Sequence, residues 1–519
     1  MSPILDVPKK AVQLYRIGLA ARRIRNTSDE QRHHAQQILA NLMGEARGLT
    51  MKIGQLMAGS DDLNLFQPLV SSINPLSLDE ILPTLEFHSS KPISEQFQHI
   101  DESTAAASLG QVHHAKLTNG DDVAIKIRYP GIVDSINAEL KLSAWLPDAG
   151  PVKRWQFDSS DYKNTLRRQL LRETDYRIEM QTQQRFKQKL QVPGLVIPNI
   201  YADMGSEAVL VQSWEDGCRF SEACTWSKKQ RLEIARTLLL TLFQSLFVHG
   251  EVHGDPHPGN YLFRRDGNDQ AITVLLDYGC TVMVSKPCRM VLLKLIDAYQ
   301  SGSPVDPLQC FVAMGFNAEK LSHLDDKMAD LCNILLYPFT ESRPVHAKDW
   351  QISKPLQELL EEQRWWFRAA GPADLLLLLR TFHGLKQQME QLDVAMPWWP
   401  MLKFAVGEDL IQQAQNMQLN TIDYASTSSR PVTRIRAKKL CIRVIEHDVI
   451  KVSLDLPAEA ILDLDSMIPL PVLQQIQDND GIDLMALTDH LQHTDIIPQM
   501  IYRSDDDSES GKQYRIWLE

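Results

Sequence analysis

The spacing of apolar residues changes character several times along the chain, and each change predicts a different kind of structure. From about Ser28 to Ala58 the residues Ile38, Leu42, Leu49, Ile53 and Met57 recur at helical intervals. A looser stretch follows, punctuated by Pro68, Pro75 and Pro83, with a short amphipathic segment between Leu76 and Leu85. From Ile93 the period shortens to two. QVHHAKL and DVAIKIR are strand-like runs, and the TNGD between them carries Asn119-Gly120, a strong hairpin signal. Helical patterns return from Val133 through Phe186, after which VIPNIY and AVLVQSW read as strands. From Lys228 to about Gln415 the chain reads as helical, interrupted by VHGDPHPGNYLF, a turn at Arg264 to Gln270, and AITVLLDYG. STSSRP (426–431) reads as a linker. Beyond it KLCIRVIEHDVIKVSLDL predicts paired strands, followed by a helical stretch and an acidic tail, DDDSES.

These elements divide the chain into a helical extension (1–90), a strand-rich lobe (91–215), a larger helical lobe (216–425) and a small α+β module (432–519). The boundary between the two lobes is the natural place for a ligand. Composition narrows the class. A chain of 519 residues with 44% hydrophobic and 23% charged residues is an ordinary globular protein, long enough for two or three cores. The net charge of -12 argues against nucleic-acid binding by bulk electrostatics. Seven cysteines without a C-x-x-C pair argue against a disulfide framework or a zinc site, and suit a reducing compartment.

The apolar stretches at Leu238 to Val248 and Leu375 to Leu379 are too short, or too interrupted by Arg and Gln, to span a bilayer. The N-terminal PKKAVQLYRIGLAARRIRN is different. It holds Lys9, Lys10, Arg16, Arg22, Arg23 and Arg25, with no acid between Asp6 and Asp29. Three readings fit: a helix packed by Val12, Tyr15 and Leu19, a basic helix on a membrane surface, or a mitochondrial presequence. The first two place the chain in the cytoplasm, free or peripheral to an inner membrane; the third places it in mitochondria.

The candidate chemistry lies in VHGDPHPGNYLF. His249, His253 and His257 recur every four residues, but Gly254, Pro256 and Pro258 forbid the helix that would make that spacing a metal site. The acids and the amide give a better account. Phosphoryl transfer needs an aspartate to orient or deprotonate the acceptor, and oxygen ligands to hold magnesium against phosphates. Asp255, Asn260 and Asp277 supply that set. Asp255 and Asn260 keep the five-residue interval of a kinase catalytic loop, and LLDYG stands where D-F-G would stand. Upstream, Ala105 to Val112 has the frame of the glycine-rich loop G-x-G-x-x-G-x-V. Ala105 and Ala107 replace the first two glycines, and Gly110 keeps the third. Val123-Ala124-Ile125-Lys126 follows in the register of the kinase phosphate-binding lysine. Glu173, Asp175 and Glu179 are the acids from which a partner for Lys126 would come. Each piece has a bland alternative: a capped polar turn, a commonplace strand, a charged surface helix. Their order and register together favour the phosphoryl-transfer reading.

On these residues the chain resembles the UbiB-type atypical kinases, also called the AarF or ADCK group, from roughly Leu49 to Leu392. Lys52-Ile53-Gly54-Gln55 is similar to that group's K-x-G-Q motif, Ala105 to Val112 to its alanine-rich nucleotide loop, and Glu173-Thr174-Asp175 to its E-x-D element. His253 to Asn260 and Asp277 are similar to its catalytic loop and metal-binding acid. Aminoglycoside-type phosphotransferases share H-G-D-x-H-x-x-N but lack the K-x-G-Q and E-x-D elements. The resemblance implies a two-lobed, protein-kinase-like α+β fold with an N-terminal helical extension and a small C-terminal α+β module. It implies that ATP and Mg2+ bind between the lobes, under Ala105, Ala106, Ala107, Ser108, Gly110 and Val112. Lys126, held by Glu179, would contact phosphate, Asn260 and Asp277 would hold the metal, and Asp255 would be the base or water-orienting residue. Lys52 and Gln55 would gate access by meeting Glu173 and Asp175, and the alanine loop would restrain autophosphorylation. The implied function is an atypical kinase or ATPase supporting ubiquinone or other prenyl-lipid metabolism. Its partners would be ATP or ADP, a prenyl lipid or quinone precursor, and a peripheral membrane surface. Two other classes stand beside it: a phosphotransferase for a soluble small molecule, and a nucleotide-switched scaffold without turnover. The transmembrane helices that end the founding ubiquinone members are not seen here, and the segment after Pro431 has no counterpart in the pattern.

Overall fold

The computed structural model describes residues 75–106, 109–134, 136, 159–419, 437, 439–446, 449–463, 499–503 and 512–519. Lys52 and Gln55, Ala107 and Ser108, and the basic N-terminal segment lie outside the described residues.

Helix α1 (Leu78–His88) starts where the Glu80 carboxylate turns back to accept the Ser77 backbone N–H at 3.0 Å. Ile81 and Leu85, one turn apart, are fully buried against the first sheet. That sheet is antiparallel, in the order β1 (Phe97–Ala106), β2 (Gly110–Leu117), β3 (Asp122–Arg128) and β5 (Val209–Ser213). β4 (Leu195–Val196) belongs to a different sheet. The turn between β2 and β3 closes at Gly120, whose φ of 95° an L side chain rarely adopts. Alternation along β3 decides what faces the ligand. Val123, Ile125 and Ile127 are fully buried with Ile81, Leu85, Val209 and Val211, so Lys126 projects from the opposite face.

Two helices cross below the sheet, α2 (Ser159–Glu173) and α3 (Tyr176–Lys189). The helical pattern breaks between them because Asp175 caps α3, its carboxylate accepting from Arg177 N at 3.1 Å.

The lower lobe is built around α4 (Lys228–Phe243), which continues through a π-helical turn to His249 and ends at Gly250 with φ 73°. This corrects the expectation of a short, interrupted apolar stretch. The continuous helix Lys228–His249 is long and apolar enough to cross a membrane, yet 67% of its most apolar window is buried. Leu239, Leu242, Phe243 and Leu246 lie in the lobe's core, among α5 (Lys286–Ser301), α6 (Met328–Thr340), α7 (Ala373–Leu392) and α8 (Trp398–Val406). Trp398 and Phe339 meet edge to face at 5.5 Å beside it.

Short strands frame the loops that rise toward the first sheet. β6 (Glu251–His253) pairs with β9 (Thr281–Met283), and β7 (Tyr261–Arg265) with β8 (Ala271–Leu275), which β4 joins in parallel. β10 (Val345–His346) pairs with β11 (Ala395–Met396). A small sheet over a helical lobe is the α+β layout of a protein kinase. The C-terminal residues form their own antiparallel sheet. Its order is β13 (Val449–Pro457), β12 (Lys439–Glu446), β15 (Lys512–Leu518) and β14 (Gln499–Arg503). DDDSES therefore connects two neighbouring strands and is not a tail, because QYRIWL after it pairs in the sheet's interior.

Candidate active site

The centre of the site is Lys126. Pairing with β2 sets it opposite Val112, and pairing with β5 sets it opposite Leu210, on the face turned toward α3. Its Nζ donates to both oxygens of Glu179, at 2.8 and 2.9 Å, and to Asp277 Oδ2 at 3.3 Å. Burial alone would favour the neutral amine, but the charges of Asp277 and Glu179 outweigh it and hold the ammonium well above the usual lysine value. Glu179 is itself buried, and burial pushes its carboxyl up to about 7 against the pull of Lys126, with Asp277 adding repulsion.

Asp277 sits in the turn that follows β8. Its Oδ1 accepts from Gly279 N at 2.8 Å. Between them Tyr278 is buried, its hydroxyl donating to the Leu275 carbonyl and its ring meeting Phe186 of α3 edge to face at 5.3 Å. The turn is thus packed on the helix that carries Glu179. A methyl added at Gly279 would meet Asp277 Oδ1 at 3.3 Å, Glu179 Oε2 at 3.5 Å and Glu173 Cγ at 3.5 Å. Three acids from separate segments therefore crowd this turn, which leaves room for a glycine.

Across from it runs the loop after β6. His253, buried, donates from Nε2 to the Asp277 carbonyl, and Gly254 N donates to the Cys280 carbonyl at 2.8 Å. Asn260 Nδ2 donates to the Asp255 carbonyl at 3.1 Å, while the Asn260 carbonyl accepts Leu276 N at 2.9 Å. The loop and the turn are laced together by backbone, so Asp255, Asn260 and Asp277 belong to one constellation. His257 spends Nδ1 on Gly259 N at 3.0 Å.

The comparisons with known proteins give the constellation a family. Residues 68–302 match the family model described as the ABC1 atypical kinase-like domain. These residues belong to the ABC1 family. Its relatives include an uncharacterized protein of Synechocystis, slr0889, 28% identical over 286 residues that cover 50% of this chain and 68% of that one. The ABC1 family protein C10F6.14c of Schizosaccharomyces pombe is 27% identical over 335 residues, 61% of each chain. The zebrafish (Danio rerio) protein named atypical kinase COQ8B, mitochondrial, is 28% identical over 257 residues, 46% of this chain and 40% of that one. The matched stretches thus span between 40% and 68% of these relatives' own length.

Within the ABC1-type domain the other expected residues fall as follows. Ala105 is the penultimate residue of β1, half-buried and opposite Val112, and Ala106 is the last. Gly110 opens β2. Glu173 is buried at the Asp277 turn, whereas Asp175 faces out and is taken by Arg177, at 3.0 Å to Nε and 2.9 Å to Nη2. The two acids of the E-x-D element thus point to different places.

Whether the site suits magnesium is a question of donor chemistry. Among the described residues no group of three or more His, Cys, Asp or Glu is arranged for a metal. Magnesium, however, binds through one or two protein oxygens and completes its shell with water and phosphate. Asp277 offers a carboxylate, and Asn260, its amide nitrogen already committed, offers the amide oxygen. The residues fit.

One residue that holds the loop escapes any motif. Arg380 reaches over from α7, and its Nη2 donates to Asp255 Oδ1 at 3.0 Å, both side chains being largely buried. The same helix face grips the loop twice more. Gln388 Nε2 donates to the Pro256 carbonyl at 2.7 Å, and Gly384 lies so close to Pro256 that a Cβ there would meet Pro256 Cγ at 2.2 Å. The available signal was one arginine in an otherwise apolar run, ADLLLLLRTFHG. A second missed pair is Arg185 of α3, which donates to the buried Glu251 of β6 at 2.7 and 3.1 Å and ties the Glu179 helix to the lower lobe. A separate cavity of about 430 Å3 opens between α1 and the turn after β3, lined by Phe87, His88, Arg128, Tyr129 and Asp134; it shares no residue with the Lys126 cluster.

Proposed function

We propose that this chain is an ATP-dependent atypical kinase or ATPase of the UbiB type, acting in ubiquinone or related prenyl-lipid metabolism. The observation that carries the reading is Lys126, clasped by Glu179 and facing Asp277 across the cleft from the Asp255–Asn260 loop. In this reading Lys126 holds nucleotide phosphate, and the segment Ala105 to Val112 covers it. Asn260 and Asp277 hold Mg2+, which when bound neutralises charge on the phosphates. Asp255, fixed by Arg380, orients the acceptor hydroxyl or a water. Few covalent tasks are left to the protein in such a transfer, so position and charge account for most of the rate.

The gating assignment is narrower than the E-x-D motif suggests. Glu173 borders the nucleotide side, while Asp175 is committed to Arg177 and to the cap of α3. Lys52 and Gln55 therefore act through Glu173. The names of the COQ8B relatives, which call them mitochondrial, support a mitochondrial setting.

The experiment is ATP hydrolysis by the full chain with Mg2+, with and without anionic liposomes and a quinone-like phenol. Turnover that requires Mg2+ and rises with the liposomes or the phenol is expected. Turnover that ignores both additions would remove the lipid assignment, and a chain that neither hydrolyses ATP nor transfers its phosphate would refute the enzyme.

A further inference from the structure

Tyr176 opens α3, and only 1% of it is exposed. Its ring packs with Met180 and Leu210 in a small apolar cluster on the cleft face of the sheet, and the Lys126 ammonium lies 5.0 Å from the ring centroid. The ring thus has an ordinary packing role that phenylalanine would fill equally well. The hydroxyl does not. It is fully buried and has no hydrogen-bond partner among the described residues, and a buried hydroxyl without a partner costs free energy that a phenyl ring would avoid.

Its position suggests what it is kept for. The hydroxyl lies against Gly110, where the nucleotide loop enters β2. A Cβ on Gly110 would come within 2.6 Å of it and within 2.3 Å of the Ile127 carbonyl. Gly110 is therefore a glycine because the hydroxyl and a strand carbonyl occupy its side-chain space. Burial also holds the phenol firmly protonated, so it has a proton to donate. An unpaired donor beside a lysine ammonium, beneath the loop that would cover phosphates, calls for an anionic acceptor.

We propose that the Tyr176 hydroxyl donates to a phosphoryl oxygen of the bound nucleotide, acting beside Lys126. The proposal rests on the reading that this cleft binds ATP. It adds a neutral donor to the phosphate site, supplied by the start of α3 and absent from the loop and lysine motifs.

The test is equilibrium binding of ATP, ADP and adenosine, each with Mg2+, to the full chain and to Tyr176→Phe, alongside thermal unfolding of both. The variant should unfold at the same temperature or higher and bind adenosine as the wild type does. ATP and ADP should bind about tenfold or more weakly, the worth of a hydrogen bond to a charged group. Unchanged ATP and ADP affinities would overturn the proposal. So would an equal loss for adenosine, which would mean that the hydroxyl shapes the pocket without meeting phosphate. A wild type that binds neither ATP nor ADP would instead remove the nucleotide reading, and this inference with it.

Discussion

Replacing Arg380 with alanine should cost turnover far more than it costs stability. The guanidinium and the Asp255 carboxylate are 14% and 19% exposed and share a hydrogen bond of 3.0 Å. Removing one partner of a fully buried ion pair costs about 3–5 kcal/mol, and a charge-assisted hydrogen bond about 1.5–3 kcal/mol. Residual solvent at both ends puts this pair near the lower range, about 2 kcal/mol, a shift of several degrees at most in the unfolding midpoint. The kinetic cost is larger. Without Arg380 the Asp255 carboxylate loses the 3.0 Å hydrogen bond to its Oδ1, and displacement of a reacting group by about 1 Å costs on the order of a hundredfold. Arg380→Lys keeps the charge but loses the planar fork, so it should recover only part of the rate. The assay is kcat and KM for ATP hydrolysis with thermal unfolding in parallel. On the proposed reading Arg380 serves the acceptor side through Asp255, so kcat should fall about a hundredfold while KM for ATP moves little. A variant with normal kcat and a lowered unfolding midpoint would show that Arg380 is only a brace. A rise in KM at unchanged kcat would place it on the nucleotide.

Three further outcomes follow from the same site. Burial raises the Glu179 carboxyl to about 7, against about 4.3 for an unfolded glutamate. The folded chain therefore holds a proton that the unfolded chain has released. The stability this group contributes is full below about pH 4 and is lost as the pH rises through 7. Activity should run the other way, rising with an apparent midpoint near 7 as Glu179 ionises to hold Lys126, and Glu179→Gln should abolish that limb of the pH–rate profile. Ala105→Gly should change the ratio of ATP to ADP affinity and raise autophosphorylation, because glycine permits the φ > 0 conformations that alanine's methyl disfavours; identical affinities and phosphate incorporation would mean this loop does not control the nucleotide. Lys52→Ala should likewise raise phosphate incorporation if K-x-G-Q restrains the cleft, and wild-type incorporation would end the gating idea.

Much of the architecture was legible because local chemistry and fold agree in it. Asn119-Gly120 announced the β2–β3 hairpin, and the alternation VAIKI placed Lys126 opposite the buried Ile125 and Ile127. The prolines and glycines around Asp255 marked a shaped loop before any partner was known. What stayed hidden depends on contacts that no period encodes. Arg380 lies 125 residues from Asp255, and nothing local distinguishes it from an arginine that merely interrupts an apolar run. The break at Asp175 was obscured because a charge-rich helix and a capped helix start look alike in E-T-D-Y-R. The helical reading from Lys228 foresaw α4, but not the π turn that carries it on to His249. QYRIWL alternates like a strand, but the acidic run before it reads as the approach to a tail.

The central claim is that Asp277 presents Mg-ATP to the Asp255 loop. The most direct measurement is Mg2+-dependent ATP turnover by the wild type and by Asp277→Asn, with folding monitored in both. Asp277 lies in the turn after a buried strand, with one oxygen on Gly279 and the other near Lys126. Its amide counterpart should leave the fold intact while removing a negative ligand to the cation. A fall of about a hundredfold or more in turnover, with the Mg2+ dependence lost, is the predicted result. A folded Asp277→Asn chain that turns over ATP at the wild-type rate, with the wild-type response to Mg2+, would contradict the account.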